Sequence, residues 1–342
     1  MSALTIRDIA KICEVSTSTV SRAMNGDPGI NKDTKARILQ VIEEYNFVPN
    51  NSARNLKMIE SETIGLLIKG VDNPFFQGML RIFGEELKKE SYSFIIQYVS
   101  EDQDEVNVAA ELVKEKKLRG IIFLGGLTDN PGGKLNNIGI PYVRCTGATY
   151  VGDTSWGGTT ISIDDEKESY NITDYLLNKG HTRIALISSR KSDISVGRLR
   201  QEGYERALKD HGVRVDRKLI CYADESMEPY SVESGYAVMK RLIASKVDCT
   251  AVYAISDMVA FGVYKAIQEA GRRIPEDYSV IGFDGLALTQ YFVPALTTMK
   301  QPGAEMVRAS IRELMKAINE EPHEQQIIYR ASMIERDSVR RL

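Results

Sequence analysis

From Thr63 onward, short β-branched runs alternate with stretches of helical spacing, and few architectures accommodate that order. "TIGLLIK", "SFIIQYV", "GIIFLGG", "YVRCT" and "TISID" form one set, separated by amphipathic stretches at 76–90 and 104–117. "RIALISS", "LICYA", "TAVYAIS" and "YSVIGFDG" form a second, with helical patterns near 198–211, 231–245 and 257–271. A strand that leads through a helix to the next strand pairs with it in parallel, and the helices cover both faces of the sheet. Two sets in succession predict two similar doubly wound α/β lobes. The tail adds "LTTMKQP", a helix at 303–319 and the strands "QQIIYRA" and "MIER". The expected core is 61–342, with an N-lobe of about 61–162 plus 293–322 and a C-lobe of about 163–292 plus 323–342.

Ligands bind such sheets outside the carboxyl ends of the strands, and two facing lobes make a cleft there. Asp72, Asn73, Phe75 and Phe76 follow the first run, and Asp164 and Asp165 follow "TISI". Arg198 and Arg200 follow "RIALI", Ser256 and Asp257 follow "AVYAI", and Asp284 ends "SVIGF". Arginines set against aspartates suit a polyhydroxylated or anionic small molecule, and aromatic rings suit stacking on a sugar or base face. Plainer roles exist: phenylalanines that open a helix are often core, and Asp164 and Asp165 can cap one. Arg200 and Asp284 are the stronger candidates, because each sits at a strand–loop edge where a salt bridge is easy and an apolar role is not.

The residues before this core have another texture. Ile6, Ile9, Ala10 and Cys13 recur at spacings of three and four, with Thr5 and Asp8 as an N-cap pair. Ser16 caps a second unit whose stripe is Val20, Ala23 and Met24, and Asn25-Gly26 ends it. A third runs from Asn31 to about Tyr45, with Ile38, Val41, Ile42 and Tyr45 inward. Helix, tight turn, helix, longer loop, helix is the helix-turn-helix pattern, here over 1–49. It accounts for hydroxyls at five of the six positions from Ser16 to Ser21. Small hydroxyls at the start of a recognition helix reach phosphates and base edges without steric cost. Thr17, Ser18 and Arg22 lie away from Val20 and Met24, so they are the candidate base readers. Ser16, Thr19, Ser21 and Asn25 suit phosphate contacts. Arg22 opposite guanine can supply roughly 1–3 kcal/mol of discrimination. A capped surface helix with one arginine is the plainer alternative.

Pro49 ends the third unit, and helix formers from Asn50 to Lys57 follow. About eight residues do not hold a helix alone. Residues 50–60 are therefore expected to be a hinge that orders on DNA, with Leu56 as a wedge for a minor-groove step. An ordinary interdomain linker is the competing reading.

Charge and composition narrow the function classes. The chain carries −3 overall, but its first 57 residues hold eight Lys or Arg against six Asp or Glu, leaving −5 for the rest. That mild asymmetry favours a nucleic-acid partner at the N-terminus. Cys13, Cys145, Cys221 and Cys249 are dispersed, which fits small buried residues in a reducing compartment better than a disulfide or zinc framework. No signal-peptide run opens the chain and no stretch approaches 18 apolar residues, so the expectation is a cytoplasmic protein with no membrane partner. His181, His211 and His323 are scattered, and GxSxG, GxGxxG and metal spacings are missing, so neither catalysis nor a cofactor is expected.

"TIRDIAKICEVSTSTVSRAMNG" followed by "YNFVPNNSARNLK" resembles the DNA-binding headpiece and hinge of the lactose/galactose-repressor family. "IGLLIKGVDNPFF", "NKGHTRIALI", "GRLRQEGYERAL", "ISDMVAFGVYKAIQEAGRRIPEDYSVIGFDG" and "PALTTMKQP" are similar to that family's core blocks, in order and over essentially the whole chain. The resemblance implies a periplasmic-binding-protein-like core and a homodimeric repressor gripping a pseudo-palindromic operator. It also implies a small effector, usually a carbohydrate, between the lobes. Thr5 and Asn50 join the DNA-binding set by position, and Ala53 and Leu56 match the minor-groove pair. Arg200 and Asp284 match the ligand-clamping arginine and aspartate, Phe75 an effector-facing position, and Tyr230 one that often holds an aromatic. Two departures touch the cleft. Ser256 stands where sugar-binding members commonly have Asn, and Asp165 and Glu168 replace the usual Asn and Gly. They leave the usual hexose or pentose open as ligand. The "GATYVGDTSWGG" loop with Trp156 is peculiar to this chain. A protein corepressor is compatible with the same resemblance, and a transport-type binding protein would share the core but not residues 1–57.

Overall fold

The computed structural model describes residues 6–24, 27, 29–45, 62–70, 73–100, 103–126, 135, 138–154 and 157–342. The chain divides into two compact units, Met1–Ser61 and Glu62–Leu342.

The first unit contains α1 (Ile6–Ile12), α2 (Thr17–Met24) and α3 (Lys32–Glu44). Ile9, Ala10, Cys13, Val20, Ala23 and Ile38 form its buried cluster, which is the face that the apolar spacing defines. Ser16 Oγ accepts the Thr19 N–H at 3.1 Å and Asn31 Oδ1 that of Asp33 at 2.9 Å, so each fills an N-cap role. Arg37 donates to the Cys13 carbonyl at 2.9 Å, fastening α3 to the end of α1. Tyr45, expected inward, is exposed: it follows the last residue of α3 and falls off the apolar stripe. Thr5, Asn25, Asn50, Ala53, Leu56 and the 50–60 hinge lie outside the described residues.

The second unit holds two six-stranded sheets. β1 (Thr63–Lys69), α4 (Pro74–Lys89), β2 (Ser93–Val99), α5 (Glu105–Lys116), β3 (Gly120–Leu124), β4 (Tyr142–Cys145) and β5 (Thr159–Ile163) build most of the first. The chain then continues through α6 (Asp165–Asn178), β6 (Ile184–Arg190), α7 (Val196–Asp210), β7 (Ile220–Ala223), α8 (Val232–Ala244), β8 (Ala251–Ala254), α9 (Asp257–Glu269) and β9 (Ser279–Asp284). It ends with β10 (Thr297–Lys300), α10 (Gly303–Ile318), β11 (Gln326–Tyr329) and β12 (Ser332–Ile334). Strands β3, β4, β5, β8 and β9 are buried throughout, as parallel strands covered on both faces must be.

The N-lobe sheet runs β11-β5-β4-β3-β1-β2 and the C-lobe sheet β12-β10-β9-β8-β6-β7. These orders correct the lobe boundaries read from the sequence. β10, placed by 293–322 in the N-lobe, pairs in parallel with β9 of the C-lobe. β11, placed by 323–342 in the C-lobe, pairs in parallel with β5 of the N-lobe. The chain thus crosses between lobes after β5, after β10 and after β11. Both misplaced strands are only four residues long, too short for their own sequence to specify a sheet. Among the described residues no helix is long and apolar enough to cross a membrane, and no cluster of His, Cys, Asp or Glu could hold a metal ion.

Candidate functional site

The carboxyl ends of strands from both lobes open onto a cavity of about 1100 Å3. Its wall includes Lys69, Asn73, Phe75 and Phe76 from the N-lobe, and Arg190, Asp193, Arg200, Tyr230 and Asp284 from the C-lobe. Phe75 is also part of the core, and Asn73 caps α4 by accepting the Phe75 N–H at 2.9 Å.

Arg200 is the centre of the charged wall. It is buried on α7, its Nε donates to Asp165 Oδ1 at 2.8 Å, and its Nη1 donates to the Ile255 carbonyl at 2.7 Å. Its guanidinium carbon stacks 3.6 Å from the centre of the Phe283 ring. Burial alone would favour losing the proton, but the charges of Asp165 and Asp284 outweigh it and hold Arg200 cationic.

Asp284 ends β9 with a φ of +119°, a backbone conformation that side chains seldom adopt and that costs of order 1–3 kcal/mol. Its Oδ1 accepts from Gln301 at 2.8 Å, while Oδ2 is buried without a hydrogen bond of normal geometry, although Asn73 approaches the same carboxylate. Burial pushes this carboxyl up to about 6, against the pull of Arg200 and of the Gln301 and Asn73 amides. A strained, buried, under-satisfied acceptor at a cavity wall is poised for a donor.

Asp193 completes the wall. Its Oδ2 accepts from Ser189 and from the Tyr230 hydroxyl, the latter at 3.0 Å, and its Oδ1 accepts the Ser195 N–H at 2.7 Å. Sequence reasoning placed Asn73 at the cleft but missed Asp193 and Gln301 as wall residues. The signal for Asp193 was an aspartate in the short link between a strand and a helix, three residues from each.

Other expected site residues sit elsewhere. Asp164 does not line the cavity: it caps α6, accepting the Lys167 N–H at 2.9 Å, and its neighbour Asp165 faces Arg200 instead. Asp257 is also off the wall. It is fully buried behind it, accepting from Leu286 N–H at 2.8 Å and Thr298 Oγ1 at 2.6 Å, so it holds the β9–β10 connection. Ser256 touches the cavity, with its Oγ accepting the Val259 N–H at 3.2 Å as the cap of α9. Arg198 pairs with Glu202 on the surface. Asp72 and Trp156 lie outside the described residues.

In the first unit, Thr17, Ser18 and Arg22 share the exposed side of α2. Ser16 Oγ lies 2.7 Å from the Ser18 and 2.8 Å from the Thr19 hydroxyl, a chain of groups that donate or accept. Ser21 is half-buried. Arg22 donates its Nε to Asp27 at 2.8 Å, and the pair is exposed. Asp27 therefore fixes the guanidinium of Arg22 on the exposed side of this unit.

Residues 5–50 match the description "Bacterial regulatory proteins, lacI family", and residues 173–339 match that of a periplasmic binding protein-like domain. The chain is 33% identical over 337 residues to the HTH-type transcriptional regulator MalR of Clostridium butyricum, covering 98% of this chain and 99% of that one. It is 31% identical over 324 residues to the ribose operon repressor of Escherichia coli K12, covering 94% and 95% respectively. Among solved structures, the complex of the transcriptional regulator CelR with cellobiose superposes with a TM-score of 0.71 at 25% identity, covering 98% of this chain and 99% of that one. With a helix-turn-helix unit in front of a two-lobed core and relatives matched from end to end, this chain belongs to the lacI family of bacterial regulatory proteins.

Proposed function

We propose that the chain is a cytoplasmic, non-catalytic transcriptional repressor that binds a pseudo-palindromic operator as a homodimer, and that a carbohydrate in the core cavity sets its affinity for that DNA. The observation that carries this reading is the cavity of about 1100 Å3, lined by aromatic rings and a few charged groups, in the same chain as a hydroxyl-rich, arginine-bearing helix. The volume sits at the upper end of small-molecule sites, about 300–1,000 Å3. Asp284 and Arg200 clamp ligand hydroxyls from the C-lobe, and Phe75, Phe76 and Tyr230 flank the sugar faces. A ligand that bridges both lobes favours one lobe arrangement, and linkage makes DNA affinity respond reciprocally. One relative is named an operon repressor and one similar structure holds cellobiose, both in keeping with this reading.

On the DNA side, Thr17, Ser18 and Arg22 read bases while Thr5, Ser16, Thr19, Ser21, Asn25 and Asn50 hold phosphates. Ala53 and Leu56 enter the minor groove. The test is selection of duplexes from a random pool by the full chain. Arg22→Ala should still bind DNA with a steep salt dependence and enrich no sequence. Enrichment of the same duplex by Arg22→Ala would remove the base-reading role. A saccharide screen that changes neither stability nor DNA binding would shift control to a protein corepressor.

A further inference from the structure

The charge balance of the cavity narrows the ligand, given the effector reading above. Among the described residues, its wall holds three cations, Lys69, Arg190 and Arg200, against five carboxylates, Asp165, Asp193, Glu228, Glu233 and Asp284. Each cation already has a partner. Lys69 Nζ lies 3.3 Å from Glu105 and donates to the Gln103 carbonyl at 3.2 Å. Arg190 donates twice to the Met227 carbonyl, at 2.6 and 3.1 Å. Arg200 is held between Asp165, the Ile255 carbonyl and the Phe283 ring. The open capacity is on the acceptor side, where Asp284 Oδ2 is buried and has no bond of normal geometry.

We propose that the cavity selects an uncharged, hydroxyl-donating saccharide and rejects phosphorylated and carboxylated sugars, with Asp165 as the specificity-determining residue. An anionic ligand would bring a sixth negative charge into a wall whose cations are committed. Its desolvation would be poorly compensated, because Asp165 and Asp284 already balance the charge of Arg200. A neutral polyol instead supplies the hydroxyl donor that Asp284 lacks and accepts from the remaining guanidinium N–H groups. A neutral asparagine at position 165 would leave the full charge of Arg200 to the ligand. The aspartate cancels it. Asp165 acts through Arg200 and is in this sense a positioning residue as well.

The experiment uses the full-length chain and matched pairs: glucose with glucose 6-phosphate and with glucuronate, and maltose and cellobiose with their phosphorylated forms. Thermal shifts over a concentration series give an apparent affinity for each. The neutral member of at least one pair should bind, with each charged counterpart at least ten-fold weaker. Asp165→Asn should shrink that gap, strengthening the phosphate member relative to the neutral one. A gap left unchanged by a folded Asp165→Asn would remove Asp165 from the account. Should that variant fail to fold, the pairs on the unaltered chain decide. A phosphate or uronate that binds as tightly as its neutral partner overturns the charge proposal and leaves effector control intact. Binding by no member of either class overturns effector control and the charge proposal with it.

Discussion

The two lobes share one strand order and differ in what they give the cavity. Written from the edge, β2-β1-β3-β4-β5-β11 and β7-β6-β8-β9-β10-β12 are the same doubly wound arrangement, except that β12 is antiparallel to β10. Among the described residues, the N-lobe contributes the Phe75 and Phe76 rings, Asn73 and one lysine already paired. The C-lobe contributes Arg200, Asp193, Tyr230 and Asp284, and it keeps more buried polar groups beside its strands. A common fold therefore supplies the strand ends, and the residues placed there decide which lobe stacks on a ligand and which one hydrogen-bonds it.

Substitutions that strike one lobe test this asymmetry. The largest effect belongs to Arg200→Ala, which leaves Asp165 and Asp284 buried without their cation. It should destabilise the protein by about 3–5 kcal/mol and abolish saccharide-induced stabilisation, as read by denaturant unfolding with and without ligand. Unchanged stability would mean that the buried carboxylates find other partners.

Glycines sharpen the contrast. A Cβ on Gly262 of α9 would run into the backbone of α8 at Val232 and Tyr236, whereas one on Gly78 of α4 meets nothing within 4 Å. Gly262→Ala should cost about 3 kcal/mol, because two packed helices must separate. Gly78→Ala should stabilise by up to about 1 kcal/mol through helix propensity alone. Paired chemical-denaturation curves check both signs. A harmless Gly262→Ala would show that the C-lobe helices have slack.

The pH dependence tests the same contrast. The Asp284 carboxyl is raised to about 6 in the folded chain, above its ordinary 3.8, so its contribution to stability is present below pH 3.8 and lost as pH rises through about 6. Asp257, also raised by burial and by the neighbouring Asp284 charge, acts in the same direction. Asp284→Asn should flatten the fall in ligand-free stability between pH 4 and 7. The N-lobe's buried Arg144 is lowered only to about 10 and does not titrate in that range. An equally steep fall in Asp284→Asn would assign the slope to other groups.

Much of this was readable in the sequence because it is local. Helical spacing placed the apolar faces of α1, α2 and α3, and the strand–helix alternation placed two parallel sheets. What stayed hidden depends on the third dimension. The sequence of β10 does not say which sheet it will join, since the four residues "TTMK" carry no pattern that favours either. Asp164 and Asp165 are adjacent, and only the phase of α6 decides which caps the helix and which meets Arg200. Asp257 stands at a strand end like Asp284, yet the loop to β10 folds over it and takes both of its oxygens. Glu168, noted as unusual, accepts the Ala331 N–H at 3.0 Å beside the third crossover, a contact 163 residues away in sequence.

The central claim is that the cavity and the DNA-binding helix belong to one switch. The direct measurement is the affinity of the full chain for its selected duplex at fixed salt, titrated with the saccharide that stabilises it. The account predicts a several-fold change in affinity at saturation, and no change for a folded Arg200→Ala chain that still binds the duplex without ligand. Identical DNA affinity with and without saturating saccharide would contradict it.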